Sequence, residues 1–339
     1  MKKSIIFIIP YFGEFRNYFQ LFLNSCKFNN DITWLILTDD HTKYDYPKNV
    51  KVIYTTFEET KRVFQNKFDF EISLNRPYKI CDFKPAYGYI YEEYIKEYDF
   101  WGYCDTDVIF GKIRDFYTEE LLNKYDKLGF LGHCTIFRND FKINRLFMNL
   151  INGNERYKEV FSDDKIFQFD EERNMSINTI FEDSNYKCNF QEFHADIYFR
   201  TSNFKVISYD LKNNEYVIEK NKKAFFVFNN GKLERYIINK EDIEKKEYLY
   251  IHIQKRNMKI KTGDLNYYKI IPNSFDNISR KDILEGNYKK IKIKHLNAHY
   301  IKLRSKEMKL GIKRRIKKYI KILDIKMYIC NRKVRDSNK

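Results

Sequence analysis

Two carboxylates one residue apart, Asp105 and Asp107, sit inside an otherwise apolar run, Phe100–Gly111, that reads FWGYCDTDVIFG. An aromatic and aliphatic stretch of this kind predicts a buried strand ending at the first aspartate. Carboxylates at such a border lose hydration, and a cation or dedicated hydrogen bonds must replace it. A divalent ion is one solution, and Mg²⁺ or Mn²⁺ suits carboxylate oxygens shared with substrate phosphates. An Asx-stabilised turn with no chemical role is the plain alternative. A further acidic group, Asp170-Glu171-Glu172, follows the apolar Ile166–Phe169. Asp170 or Glu171 offers a base for an acceptor hydroxyl, against the alternative of a solvated acidic turn. His133 and His194-Ala195-Asp196 are other candidates for that side.

The elements that must position these groups are readable from periodicity. Ser4–Ile9, Ile32–Leu37 and Val50–Tyr54 are strand candidates. Between the first two, Phe15, Tyr18, Phe19, Phe22 and Leu23 fall on one face of a predicted helix over Glu14–Cys26. Strand, helix, strand is the opening of a parallel α/β unit. Residues 57–69 and Ala86–Lys96 also have helical character. Leu128–Phe137 predicts another strand, and Phe193–Phe199 reads as either helix or strand. Shorter strands are expected at Lys222–Phe228, Leu233–Ile238 and Tyr248–Ile253. In such sheets ligands bind beyond the carboxyl ends of the strands. Pro10-Tyr11, Thr38-Asp39-Asp40 and Asp105-Thr106-Asp107 each follow a strand candidate and should therefore converge. No dinucleotide-binding G-x-G-x-x-G and no Walker A sequence occurs.

Composition narrows the classes further. A chain of 339 residues accommodates two domains or one elaborated α/β domain. Its net charge of +16 is uneven, because residues 311–339 hold 11 basic and 2 acidic residues. Charge alone leaves nucleic acid, anionic lipid and phosphorylated small molecules open. The aromatics are spread through core-like segments and no nucleic-acid motif is present, so a nucleic-acid-binding protein is the weaker alternative. Gly311–Met327 predicts a basic amphipathic helix with Ile312, Ile316, Tyr319, Ile320, Leu323 and Met327 on its apolar side. Such a helix lies on an anionic membrane, or docks on the catalytic domain or another subunit. No run reaches the ~20 apolar residues of a membrane span. The apolar Ile5–Ile9 reads as a first core strand rather than a signal peptide. The six scattered cysteines lack zinc-like spacing and read as free thiols of a cytosolic protein. His295 and His299, four apart, lack the partners of a zinc site and read as structural or surface residues.

Four segments carry a family resemblance: IPYFG at Ile9–Gly13, TDD at Thr38–Asp40, YKICDFKPAYG at Tyr78–Gly88, and FWGYCDTDVIFG. Together they resemble a bacterial family of glycosyltransferase-like proteins from capsule, exopolysaccharide and lipopolysaccharide gene clusters. More distantly they resemble the nucleotide-diphospho-sugar transferases of the GT-A fold. The resemblance, over roughly residues 4–260, implies a GT-A-like, Rossmann-like mixed sheet flanked by helices, to which the less regular pattern after Gly111 adds an elaborated second half and the tail's own periodicity a basic C-terminal helix. Residues 1–111 would form the nucleotide-sugar half, 112–300 the acceptor-side half and 301–339 the tail. Composition supports only the boundary near residue 300.

The resemblance also implies roles for individual residues. Pro10, Tyr11 and Asp39 would line the nucleoside pocket, while Asp82 and Lys84 would face the nucleotide sugar. Asp105 would touch the sugar or ribose and the metal, and Asp107 would be the firmer metal ligand. From its own chemistry Lys84 is a compact cation just before Pro85 at a helix start, while Asp82 reads equally as an N-cap or turn residue. In YLYIHIQKRNM at Tyr248–Met258, His252 and Gln254 share one side of a strand. His252 would complete an Mn²⁺ or Mg²⁺ site, with Lys255 or Arg256 on the diphosphate. The alternative is a half-buried histidine at a basic strand end. The expected activity is metal-dependent transfer of a sugar from a nucleotide diphosphate to a surface-polysaccharide or lipid-linked glycan. The expected location is cytoplasmic, peripheral on the inner face of the membrane. A related alternative keeps the fold but binds glycans or nucleotides without turnover.

Overall fold

The computed structural model of the chain describes residues 2–316, apart from 172, 173, 240, 241 and 255. Its first strands fall where the apolar runs place them: β1 (Ile5–Tyr11), β2 (Ile32–Thr38) and β3 (Val50–Tyr54). Helix α1 (Phe19–Lys27) joins β1 to β2. Helix α2 (Phe57–Gln65) follows β3 and opens on a capping box between Thr56 and Glu59. β1 lies between β2 and β4 (Phe100–Cys104), parallel to both, and β3 is parallel to β2. Alternate side chains feed two apolar layers. Ile6, Ile8, Leu35, Leu37, Trp101 and Tyr103 enter one; Ile5, Phe7, Ile9, Trp34, Ile36 and Phe100 enter the other. A strand buried on both faces needs such an uninterrupted apolar run.

Past β4 the sheet turns antiparallel. The chain makes the short β5 (Val108–Phe110), then β6 (Lys127-Leu128) and β7 (Cys134–Arg138), and later β8 (Cys188–Asn189). β7 runs antiparallel to β4 and to β6, giving a mixed sheet. Leu128–Phe137, read from sequence as one strand, is two strands separated by a loop through Gly132 and His133. The segment expected as a helix over Ala86–Lys96 is helical but interrupted at Tyr91. A 3₁₀ run, Pro77–Ala86, leads into single helical turns at Tyr87–Ile90 and Glu92–Ile95. Its path follows the burial of Ile80, Phe83, Tyr87, Ile90 and Ile95 in the first apolar layer, with Pro85 inside the run.

The second half adds β9 (Ala195–Ile197), β10 (Val206–Asp210), β11 (Glu215–Ile218), β12 (Ala224–Asn229), β13 (Lys232–Ile238), β14 (Ile243–Glu247) and β15 (Tyr250–His252). β16 (Lys259-Ile260), β17 (Tyr267–Ile271) and β18 (Ser274–Asp276) complete the described strands. Among the described residues β11, β10, β9, β15 and β5 form a second sheet in that order. A third is ordered β14, β13, β12, β17, β18, β16. Ile109, Ile251, Ile253, Phe226, Phe228 and Tyr268 share an apolar layer drawn from these two sheets. The protein is thus a mixed α/β fold with helices on its first sheet and an elaborated second half.

Residues 298–316 are helical, so the boundary near residue 300 falls at the start of a helix. Tyr319, Ile320, Leu323, Met327 and Cys330 lie outside the described residues. The other five cysteines are free thiols. Among the described residues, no helix is long and apolar enough to cross a membrane.

Candidate functional site

The turn Asp105-Thr106-Asp107 leaves the carboxyl end of β4 and is pinned on both sides. The Asp105 amide donates to the His133 carbonyl at 3.0 Å, and the Ile253 amide donates to the Asp107 carbonyl at 2.9 Å. Register then brings in a histidine from far along the chain. β15 pairs with β5 and β9 so that His252 stands opposite Val108 and Asp196. Its Nδ1 lies 2.8 Å from Asp196 Oδ1, while Nε2 faces Asp107 Oδ1 at 3.3 Å and Asp105 Oδ2 at 3.9 Å. One ligand atom from each of Asp105, Asp107 and His252 lies within 4.8 Å of the others. Two carboxylates and an imidazole are a donor set for a divalent cation. The nitrogen favours Mn²⁺ over Mg²⁺. Asp196 fixes the ring so that Nε2 is the nitrogen turned to the aspartates.

Charge reinforces this arrangement. Burial alone would raise the Asp107 carboxyl, but His252, with Arg16 further off, holds it below the usual carboxylate range. Burial alone would lower the His252 imidazole, and Asp107 and Asp196 together hold it well above its ordinary value. His133 lies beside it with ring centroids 4.3 Å apart. Burial, then the neighbouring His252 and His194, push His133 well down, so it is neutral.

Lys84 forms the other side of the site. Its Nζ lies 2.9 Å from Asp105 Oδ1 and 3.2 Å from Asp170 Oδ2, and donates to the Gly132 carbonyl at 2.7 Å. The two oxygens of Asp105 are thus divided, one toward Lys84 and one toward His252. Burial pushes the Asp170 carboxyl up to about 6, against the opposing pull of Lys84. Gly132 permits this approach: a Cβ there would run into the Asp170 carboxylate and stand 2.9 Å from Cγ of Glu171.

A cavity of about 900 Å³ lies against these groups. Pro10, Tyr11 and Arg16 line it from the end of β1, Tyr78 and Lys84 from the 3₁₀ run, and Tyr198, Phe199 and Arg200 from the loop after β9. The strand ends therefore converge on one concave site, the setting in which an α/β sheet binds ligand.

Residues 7–279 match the profile of DUF6625, described as a family of unknown function. The chain belongs to this family. A search of curated proteins gives no match. Among solved structures the DUF6625 chain is similar to the galactosyltransferase LgtC in complex with donor and acceptor sugar analogs. Identity is 12% and the TM-score 0.32, over 57% of this chain and 75% of that one. An active-site mutant of LgtC gives 13% and 0.32 over the same shares.

Of the residues singled out from the DUF6625 sequence, Pro10, Tyr11, Lys84, Asp105, Asp107, Asp170, Glu171 and His252 all line the cavity. Three others lie away from its lining. Asp39 is exposed and accepts a hydrogen bond from the Gly13 amide at 2.7 Å, which fixes the turn after β1. Asp82 is wholly buried. It pairs with Lys79 at 2.9 Å and accepts from the Phe167 and Phe169 amides, which leaves no oxygen directed to a donor. Arg256 is buried too, donating to the carbonyls of Tyr198, Thr201 and Asn203. It shapes a cavity wall from behind. Lys255 and Glu172 lie outside the described residues.

Sequence reasoning missed Arg16 and Arg200, the exposed cations lining the DUF6625 cavity, and the hold of Asp196 on His252. Arg16 had a usable signal, since it lies five residues past the carboxyl end of β1. Gln254 also reaches Asp196, donating to Oδ1 at 2.7 Å as the chain turns through a positive φ of 49° after β15.

Proposed function

We propose that this protein is a metal-dependent glycosyltransferase of GT-A-like architecture. It would move a sugar from a nucleotide diphosphate to a surface-polysaccharide or lipid-linked glycan acceptor in the cytoplasm. The observation that carries the reading is the meeting of Asp105, Asp107 and His252 beside a cavity large enough for a nucleotide sugar. These three residues would hold Mn²⁺ or Mg²⁺, and the ion would offset charge growing on the departing diphosphate. Arg16 would supply a second positive charge from just past the carboxyl end of β1, the role assigned from sequence to Lys255 and Arg256. Tyr11, stacked on Phe15 with centroids 4.5 Å apart, offers an aromatic face for the base.

In the transfer, an acceptor hydroxyl oxygen bonds to the anomeric carbon as the bond from that carbon to the diphosphate breaks. The hydroxyl proton passes to a carboxylate, for which Asp170 is the better placed group, with Glu171 beside it. Residues 1–111 serve as the donor half of this scheme and 112–300 as the acceptor side, with His252 returning to the donor site from the second. The test is donor hydrolysis screened across UDP-, GDP-, CMP- and dTDP-sugars with Mn²⁺ or Mg²⁺. Asp107→Ala should retain its fold by circular dichroism and lose roughly a hundredfold or more in rate. Undiminished turnover in that variant would remove the metal from the mechanism.

A further inference from the structure

The helix over 298–316 is anchored along one face and bare along another. On the anchored face Tyr300 is buried, and Glu307 accepts hydrogen bonds from the Ser202 amide and hydroxyl, both at 2.8 Å. The bare face carries Ile301, Met308, Ile312 and Ile316, spaced seven, four and four residues apart, which is one helical stripe. These side chains are 60, 58, 54 and 53% exposed. At 3.6 residues per turn, Lys302, Lys306, Lys309 and Lys313 follow one edge of the stripe, and Arg304 and Arg315 follow the other. Glu307, the one acidic residue from 298 to 316, holds Ser202 and pairs with Arg304 at 3.4 Å, which leaves Lys302, Lys306, Lys309, Lys313 and Arg315 as the cations without an acidic partner among the described residues of the helix.

We propose that residues 298–316 seat this protein on an anionic bilayer. The four aliphatic side chains enter the boundary between headgroups and acyl chains, and the flanking cations meet lipid phosphates. Charge complementarity selects this occupant: an apolar stripe bordered on both edges by cations matches a surface that is apolar below and anionic above. The helix also ties that surface to the cavity. Ser202 belongs to the segment whose carbonyls Arg256 holds, and Tyr198, Phe199 and Arg200 of the same segment line the cavity. The bilayer contact needs no turnover and stands apart from the transferase reading. Where both hold, the acceptor reaches the cavity from the membrane side.

The experiment is co-sedimentation of the full chain with vesicles of phosphatidylcholine alone or with a third of phosphatidylglycerol. The full chain should pellet with the anionic vesicles, release as salt rises, and pellet weakly with the neutral ones. The paired substitutions Ile301→Glu and Ile312→Glu should weaken anionic-vesicle binding by roughly tenfold or more while soluble-donor hydrolysis is unchanged. Independently, Ile312→Trp should give indole emission that shifts to the blue on anionic vesicles and is quenched by brominated lipid. Failure to pellet with anionic vesicles, undiminished binding by the paired Glu variant, or an indole insensitive to lipid would each overturn the proposal. So would light scattering showing an oligomer in lipid-free buffer that the paired Glu variant dissociates, because the stripe is then a protein interface.

Discussion

Lys84 binds two carboxylates with different tasks, and pH separates them. Asp105 belongs to the proposed cation site, whereas Asp170, raised by burial to about 6 and restrained by Lys84, is the proposed base. A base must be ionised to accept a proton, so turnover should rise as pH passes upward through about 6. Lys84→Met removes the opposing positive charge and leaves burial, with the negative charges of Asp105 and Asp82, to raise the carboxyl unopposed. The acidic limb of the kcat profile should then move up by about 1–3 pH units. A limb that stays in place would exclude Asp170 as its source. The same scale explains why Asp82 misled. The family resemblance set Asp82 with Lys84 at the nucleotide sugar, while its own type and position read equally as a cap or turn residue. Its partners Phe167 and Phe169 lie far along the chain, and nothing local announces them. Arg256 misled for the same reason: its basic type is visible, but the carbonyls it holds belong to the loop after β9.

Among the elements, the loop between β6 and β7 has the greatest leverage on the site. It presents the His133 carbonyl to Asp105, the Gly132 carbonyl to Lys84, and a bare Cα to Asp170. Gly132→Ala should therefore disturb function more than folding. Overpacking of this kind costs about 1–3 kcal/mol, which Asp170 and Glu171 absorb by moving. We expect a fall in kcat/KM of roughly tenfold to a hundredfold and a drop of only a few degrees in Tm, read by donor hydrolysis and calorimetry. The parallel opening was legible because β1, β2 and β4 are buried on both faces and read as apolar runs. The loop was not. Leu128–Phe137 has a strand's composition throughout, and only the pairing of β7 with both β4 and β6 shows where the chain leaves the ladder. The helix expected over Ala86–Lys96 is present only as two single turns, Tyr87–Ile90 and Glu92–Ile95, because the chain leaves helical geometry at Tyr91 between them. The placing of β9 between helix and strand was settled by partners in β10 and β15.

At the scale of the whole molecule, the proposed cation site lies on a seam. Asp105 follows the last residue of β4 in the first sheet, and His252 ends β15 in the second. An ion held by both acts as a rivet between the sheets, and by mass action it stabilises the assembled form. At a hundredfold excess over Kd the gain is about 2.7 kcal/mol. Hydrogen exchange should slow over residues 103–110 and 250–253 when Mn²⁺ is added, and Asp107→Ala should abolish the effect. Uniform exchange with and without Mn²⁺ would place the ion elsewhere. One consequence concerns how the protein comes together. The two aspartates are synthesised 145 residues or more ahead of the imidazole, so a nascent chain cut short of Tyr250 would carry both aspartates and lack the third proposed ligand. Capture of the proposed metal would therefore be a certificate of completed assembly, issued only once both sheets have met.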